Sequence, residues 1–305
     1  MAAKSLPFRV WAADVSEYGA VSVKDVVEEL LPENEWQMVL RFVRPIDQIR
    51  ALAGKLLTRL VLSKEHGCQW DDVRIATTPE RRPFLAHPSP NFDFNLTHDG
   101  DWVAIAFTPA TAAPFPSSGQ NTQLGIDVME IALPHYESSV LDFVKTMEMT
   151  MTNAETSWVR NVALSESSPS DTDRERLRRL FALWTHKEAY TKALGLGMGF
   201  DFRNVELRFW DVDRNLLHVN GQLKDDAYSF MSLDLPCGGR HNLGENTSGP
   251  LKGAGTGQGS QLVVAYPTAQ QRPVPMTYKE AKESSLLHIW NMHDLVEASK
   301  HAKNR

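Results

Sequence analysis

Cysteine is scarce in this chain of 305 residues: only Cys68 and Cys237 are present, far apart, with no Cys-x-x-Cys and no Cys/His spacing of the zinc kind. That excludes a disulfide scaffold and a structural zinc site, and makes a reducing, cytoplasmic setting the expectation. No apolar run approaches the roughly 18 residues of a membrane-spanning helix, and the first ten residues lack the apolar core of a secretory leader. The expectation is a protein that neither spans nor anchors in a membrane. Positive charge is also short, with 32 Lys and Arg against 38 Asp and Glu, a formal net charge of −6. A general nucleic-acid binder needs a basic surface to displace counterions, so that class is set aside.

What is present suffices for one large or two modest globular domains, because 42% of the residues are hydrophobic and 23% charged. The charge is uneven. Between Arg41 and Arg82 stand nine basic residues (Arg41, Arg44, Arg50, Lys55, Arg59, Lys64, Arg74, Arg81, Arg82) against five acidic ones, a local excess of +4. A small, highly phosphorylated ligand suits such a patch.

In chain order, Phe8 to Ala13 reads as a strand. Ile46, Ile49, Ala53, Leu56 and Leu60 form the buried stripe of a helix that also presents Arg50 and Arg59. Val73 to Thr77 is a short strand leading into a loop where Pro79 and Pro83 bracket Arg81 and Arg82. Phe92 to Thr97 and Trp102 to Phe107 are β-prone runs joined by His98-Asp99-Gly100-Asp101, which predicts a hairpin with a type I′ turn and His98 at a strand end. Thr108 to Gln123 reads as a linker, and Leu124 to Val128 as an apolar strand interrupted by Asp127. A helix is expected from Ser138 to Trp158, a polar loop from Ser165 to Asp173, and strands at 202–209, 216–219, 228–235 and 262–266. The spacer 236–261 holds eight glycines and predicts a flexible insertion in a hairpin; a last helix is expected over 278–302.

The chain is organised around Leu180 to Gly197. Leu177, Leu180, Phe181 and Trp184 recur at helical spacing, and Gly195 stands where a glycine ends a helix. Lys187, Glu188 and Lys192 follow in the last turns, with Glu188 and Lys192 one turn apart on one face. Taken singly these residues read as easily as a solvated surface pair, and Asp127 as a strand-end cap. Together, two carboxylates from different elements beside phosphate-binding cations suit a magnesium ion that also touches a phosphate ligand, the chemistry of phosphoryl or phosphodiester transfer.

Gly125-Ile126-Asp127, followed by Trp184-x-x-Lys187-Glu188-Ala189-x-x-Lys192-Ala193-Leu194-Gly195 and preceded by Phe94-Asn95-Leu96-Thr97-His98, resembles the Sfp-type 4′-phosphopantetheinyl transferases in their eukaryotic, fungal form. The resemblance covers about Arg41 to Arg208. It implies an α/β (α+β) fold of two similar halves related by a pseudo-twofold, here 1–122 and 123–305, with coenzyme A bound in the cleft between them and no glycine-rich phosphate loop. The implied reaction moves phosphopantetheine from coenzyme A to a carrier-protein serine and releases adenosine 3′,5′-bisphosphate.

By position, Asp127 and Glu188 are implied to hold magnesium, or manganese in its place. Arg82, Thr97, His98, Lys187 and Lys192 are implied to contact coenzyme A, with Arg41, Arg44 and Arg50 as candidates for its 3′-phosphate. Catalysis would fall to Glu188 as base with Lys192 and Asp127. The implied partners are the acyl or peptidyl carrier domains of fatty acid synthase, polyketide synthase, nonribosomal peptide synthetase and aminoadipate reductase, served by a monomer. Ala189, Thr97 and Arg81-Arg82-Pro83 depart mildly from the family pattern. Met129 departs more, since bacterial members carry a metal-binding acid there and a thioether is a poor magnesium ligand. Glu130 is expected to point away from Asp127, leaving water to fill that position. A non-catalytic coenzyme A or carrier-binding module is the alternative, and a magnesium-dependent phosphohydrolase a third reading.

Overall fold

The structure, a computed structural model, describes residues 6–18, 22–86, 92–111, 123–162, 169–196, 199–209, 216–223, 228–237, 259–267 and 276–305. Most of the expected linker (112–122) and of the glycine-rich insertion (238–258) lies outside the described residues.

Strand β1 (Arg9–Asp14) is followed by helices α1 (Val23–Leu30), α2 (Glu33–Leu40) and α3 (Pro45–His66), a small hairpin of β2 (Ile75–Thr77) and β3 (Pro83–Leu85), and a large one of β4 (Phe94–Asp99) and β5 (Trp102–Phe107). β1 lies against β5 and β5 against β4, both antiparallel. The chain then repeats that plan. β6 (Gly125–Glu130) leads through α4 (Val140–Met147), α5 (Asn153–Arg160) and α6 (Pro169–Leu194) to a small sheet of β7 (Val205–Arg208), β8 (Leu216–Val219) and β9 (Gln222–Leu223). It ends in the hairpin of β10 (Tyr228–Leu235) and β11 (Ser260–Pro267), with β11 between β10 and β6. In each half the opening strand (β1, β6) pairs with the second strand of the large hairpin (β5, β11) and the long helix lies between them in the chain, so two similar α/β halves share one topology.

Packing follows strand alternation. Trp11, Ala13, Val103, Ile105 and Phe107 face Leu52, Leu56 and Leu60 of α3, while Val263 and Ala265 face Leu180, Leu183 and Ala189 of α6. The opposite faces of both sheets meet in a third core built from Val10, Ala12, Ala104, Ile126, Val128, Leu233 and Val264. α3 starts with Pro45 and stops at Gly67, whose φ of +67° satisfies the left-handed cap that glycine adopts freely.

Several expectations are corrected. The helix expected over 138–158 is two helices, α4 and α5, because Thr152 and Glu155 form a capping box that starts a new one. α6 begins at Pro169, inside the expected polar loop, and a 3₁₀ turn (Phe202–Asn204) replaces the start of the strand at 202–209. Only Gly100, at φ +52°, has positive φ in the β4–β5 turn, so the turn is not type I′. Arg59 is buried, bonded to Glu35 and the carbonyls of Trp70 and Val73, rather than presented to solvent.

The last expected helix is broken into α7 (Tyr278–Glu283), β12 (Leu287–Asn291) and α8 (Met292–Lys303). β12 pairs parallel to β1, and Met292, Leu295 and Val296 of α8 join the core under α3. Residues 287–303 thus sit with the first half, on the far side of the 122/123 division in chain order.

Candidate active site

The two sheets meet where edge strand β4 lies along edge strand β6. The strands are joined through side chains: Asp93, Asn95, Thr97 and Asp99 accept the backbone N–H groups of Leu124, Ile126, Val128 and Glu130 at 2.5, 3.1, 3.3 and 2.8 Å. Each step is two residues on both strands, as the pleat requires. The alternate β4 positions, Phe94, Leu96 and His98, turn to the other side and line a cavity. One strand therefore supports β6 with one face and a ligand pocket with the other.

Asp127 sits on β6 between two rungs of this ladder and faces α6 together with Met129, while Ile126 and Val128 pack between the sheets. Its Oδ1 accepts from Lys192 Nζ at 2.6 Å and from Thr97 Oγ1 at 3.1 Å. Its Oδ2 is buried and has no hydrogen-bond partner. Glu188, one turn before Lys192, brings a second carboxylate close enough that burial first and repulsion from Asp127 second hold its pKa above the usual range. Burial also raises the pKa of Asp127, against the lowering pull of Lys192. A buried acceptor without a hydrogen-bond partner thus stands beside a second carboxylate whose charged form burial disfavours.

α6 reaches this position because residue 125 is glycine. A Cβ there would lie 1.9 Å from the carbonyl oxygen of Ala189 and 2.5 Å from the nitrogen of Ala193, so helix and strand touch backbone to backbone. The small Ala189 and Ala193, both fully buried, complete the close approach.

The cavity, of about 230 Å³, lies between α2, α3 and β4. Val39, Phe94 and Leu96 make an apolar floor, and Arg41, Arg50, Lys55 and His98 bring polar groups to it. Arg50 donates to the Gly100 carbonyl, which ties α3 to the turn after His98. Burial, then the positive charges of Arg50 and Lys192, keep the His98 pKa below its ordinary value. His98 is thus within electrostatic reach of Lys192 and joins the cavity to the carboxylate site.

Of the residues singled out in the sequence, Asp127, Glu188, Lys192 and His98 come together, and Arg41 and Arg50 stand in the cavity wall. Four others stand elsewhere. Arg44 is outside the cavity lining, exposed and paired with Asp47. Thr97 turns its hydroxyl to Asp127 and β6 instead of the ligand pocket. Arg82 is buried, bonded to Asp93 and to the carbonyls of Phe94, Leu124 and Lys192. Lys187 is buried, with Nζ at 2.6 Å from Glu155 Oε2 and 3.0 Å from the carbonyls of Thr150 and Phe202, so its three donors are used inside the second half. Lys55, counted in the basic patch but not among the ligand contacts, also lines the cavity. Glu130 points away from Asp127, its carboxylate lying over Gly100.

Two carboxylates, an ammonium and a basic-rimmed pocket stand together, groups of the kind that serve chemistry on phosphate ligands. Comparison with known proteins makes this specific. Residues 21–110 match the family model for the 4′-phosphopantetheinyl transferase N-terminal region and residues 123–244 that for the 4′-phosphopantetheinyl transferase superfamily. The chain is 34% identical over 208 residues to a 4′-phosphopantetheinyl transferase of Paxillus involutus, covering 68% of this chain and 73% of that protein. It is 33% identical over 180 residues to a phosphopantetheinyl transferase of Thraustochytrium sp., 59% of this chain and 57% of that protein. It is also 29% identical over 238 residues, 70% of each chain, to the Homo sapiens L-aminoadipate-semialdehyde dehydrogenase-phosphopantetheinyl transferase. The chain belongs to the 4′-phosphopantetheinyl transferase superfamily, a family of enzymes.

Proposed function

We propose that this chain transfers 4′-phosphopantetheine from coenzyme A to a serine hydroxyl of an apo carrier domain. The observation that carries the reading is the meeting of Asp127, Glu188 and Lys192 beside a cavity edged by Arg41, Arg50, Lys55 and His98. That cavity suits the phosphorylated nucleoside end of coenzyme A, leaving the diphosphate over His98 and Lys192.

The serine oxygen attacks the phosphorus that bears pantetheine, and its bond to the bridging oxygen breaks. The electron pair leaves on adenosine 3′,5′-bisphosphate. Glu188 takes the serine proton, directly or through a water, and its raised pKa makes it a stronger base than an exposed carboxylate. Lys192 Nζ supplies positive charge to the diphosphate, and the cleft between the halves fixes the line of attack.

The site fits a magnesium ion, with manganese as a substitute: the donors are hard oxygens, Asp127 Oδ2 is buried without a partner, and Glu188 stands beside it. No group of three or more His, Cys, Asp or Glu side chains is gathered among the described residues. When bound, the ion would neutralise charge building on the 5′-phosphate of the departing adenosine 3′,5′-bisphosphate.

As partners we propose the carrier domain of aminoadipate reductase, as the names of several relatives suggest for those proteins, together with carrier domains of fatty acid, polyketide and nonribosomal peptide synthases. We place this activity in the cytoplasm, in a monomer. The test is mass spectrometry of an apo carrier domain incubated with the protein, coenzyme A and magnesium. Gain of the phosphopantetheine mass is expected; an unchanged carrier supports a binding module, and coenzyme A breakdown without carrier supports a phosphohydrolase.

A further inference from the structure

We propose that Arg82 is a positioning residue for the transfer reaction, which acts through Lys192 by clamping the carbonyl end of α6 to the first half of the molecule. The proposal rests on the transfer reading above for its kinetic part.

Arg82 is 6% exposed and its guanidinium spans both halves. From the first half it has Asp93 Oδ1 at 2.9 Å and the Phe94 carbonyl at 3.3 Å; from the second, the carbonyls of Leu124 at 2.8 Å and Lys192 at 2.7 Å. Nothing in this set leaves the side chain free to follow a ligand. The turn that delivers it is itself fixed. Thr78 N–H donates to the Arg82 carbonyl at 2.9 Å, Arg82 N–H donates to Thr78 Oγ1 at 3.2 Å, and Arg81 takes a left-handed φ of +67°.

At the far end, Lys192 belongs to the last turn of α6, where backbone carbonyls lack helical partners. Its carbonyl accepts from Gly195 N–H at 3.1 Å and from Arg82, and a cation at a helix C-terminus also complements the helix dipole. The same residue's ammonium lies 2.6 Å from Asp127. Lys192 is thus held at its backbone by Arg82 and at its side chain by the site. Asp93 reinforces this, since its second oxygen accepts Leu124 N–H at 2.5 Å where β6 begins. A planar fork can serve acceptors lying in different directions, which a lysine ammonium at the end of a shorter reach cannot reproduce.

The experiment is a double-mutant cycle on the full chain, with Arg82→Lys and Lys192→Met singly and together, read as kcat and KM for coenzyme A in the carrier-mass assay. Arg82→Lys is expected to lower kcat about tenfold with KM for coenzyme A within about twofold, and to cost nothing further in the Lys192→Met background. Equal losses in both backgrounds, or a raised KM with kcat retained, would mean a general structural role or a ligand contact and overturn the proposal. Amide hydrogen exchange at Gly195 and Leu196 reads the clamp without turnover: faster exchange in Arg82→Lys supports it and unchanged protection overturns it. Should Arg82→Lys fail to fold, Asp93→Asn takes its place in the same cycle. A wild-type protein that leaves the carrier unmodified counts against the transfer reading, and the exchange measurement still judges the clamp.

Discussion

Thr97 Oγ1 donates to Asp127 Oδ1 at 3.1 Å while accepting the N–H of Val128 at 3.3 Å and the ammonium of Lys192 at 3.2 Å. One hydroxyl thus fixes a carboxylate, the strand beside it and the cation above it. Thr97→Val keeps the shape and removes these bonds. The expected loss is about 2 kcal/mol of transition-state stabilisation, roughly thirtyfold in kcat, with KM for coenzyme A little changed. A variant that loses affinity for coenzyme A but keeps kcat would return Thr97 to the ligand pocket.

Glu188 lies outside the cavity lining, so Glu188→Ala separates chemistry from binding. Transfer to an apo carrier should drop by at least about 100-fold, the usual worth of a positioned base. Coenzyme A binding, followed by calorimetry, should stay within a few-fold. Retained turnover would remove Glu188 from the role of base.

Lys187→Met leaves Glu155 without its cation in a site where its side chain is wholly buried. Breaking such a pair from one side costs about 3 kcal/mol or more. Urea unfolding should reveal that loss, while KM for coenzyme A in the folded protein stays near the wild-type value. Unchanged stability with a raised KM would contradict the place given to Lys187.

His186 gives the molecule an acid sensitivity of its own. Its ring is packed against Phe209 and Phe230, its Nδ1 bonds the Ala182 carbonyl and its Nε2 has no partner, so burial pushes its pKa down from 6.5 to about 4. Above pH 6.5 the ring is neutral in both folded and unfolded chains. Below it the unfolded chain takes the proton first, and stability falls until the folded pKa is passed, by about 3 kcal/mol in total. Denaturation midpoints measured between pH 7 and pH 4 should show a shallower decline in His186→Phe; an equal slope would assign the acid sensitivity elsewhere.

Much of this arrangement is legible in the residues. Strong periodicity marked α3, α6 and the β4–β5 and β10–β11 hairpins, the spacing of Glu188 and Lys192 put them on one helix face, and the family resemblance added Asp127 to them. Burial was the quantity that spacing could not supply. Lys187 and Glu188 are neighbours in a helix and diverge by about 100°, so only one of them could face the cleft. Arg82 and Thr97 carry groups suited to a ligand, yet spend them on Lys192, Leu124, Asp127 and Val128, contacts that span 30 to 110 residues of chain. β12 escaped notice because its five residues lie between two helices, and a short apolar run has no period to distinguish strand from helix. The break at Ser285, with φ +59°, and the Asn291 cap of α8 mark its ends.

The return of β12 to β1 bears on how the protein is made. β12 and α8, which complete the first sheet and its core, follow the second half in the chain, so the N-terminal half lacks them until the second half has been synthesised. The nascent chain must carry an open sheet edge beside β1 through translation of the second half.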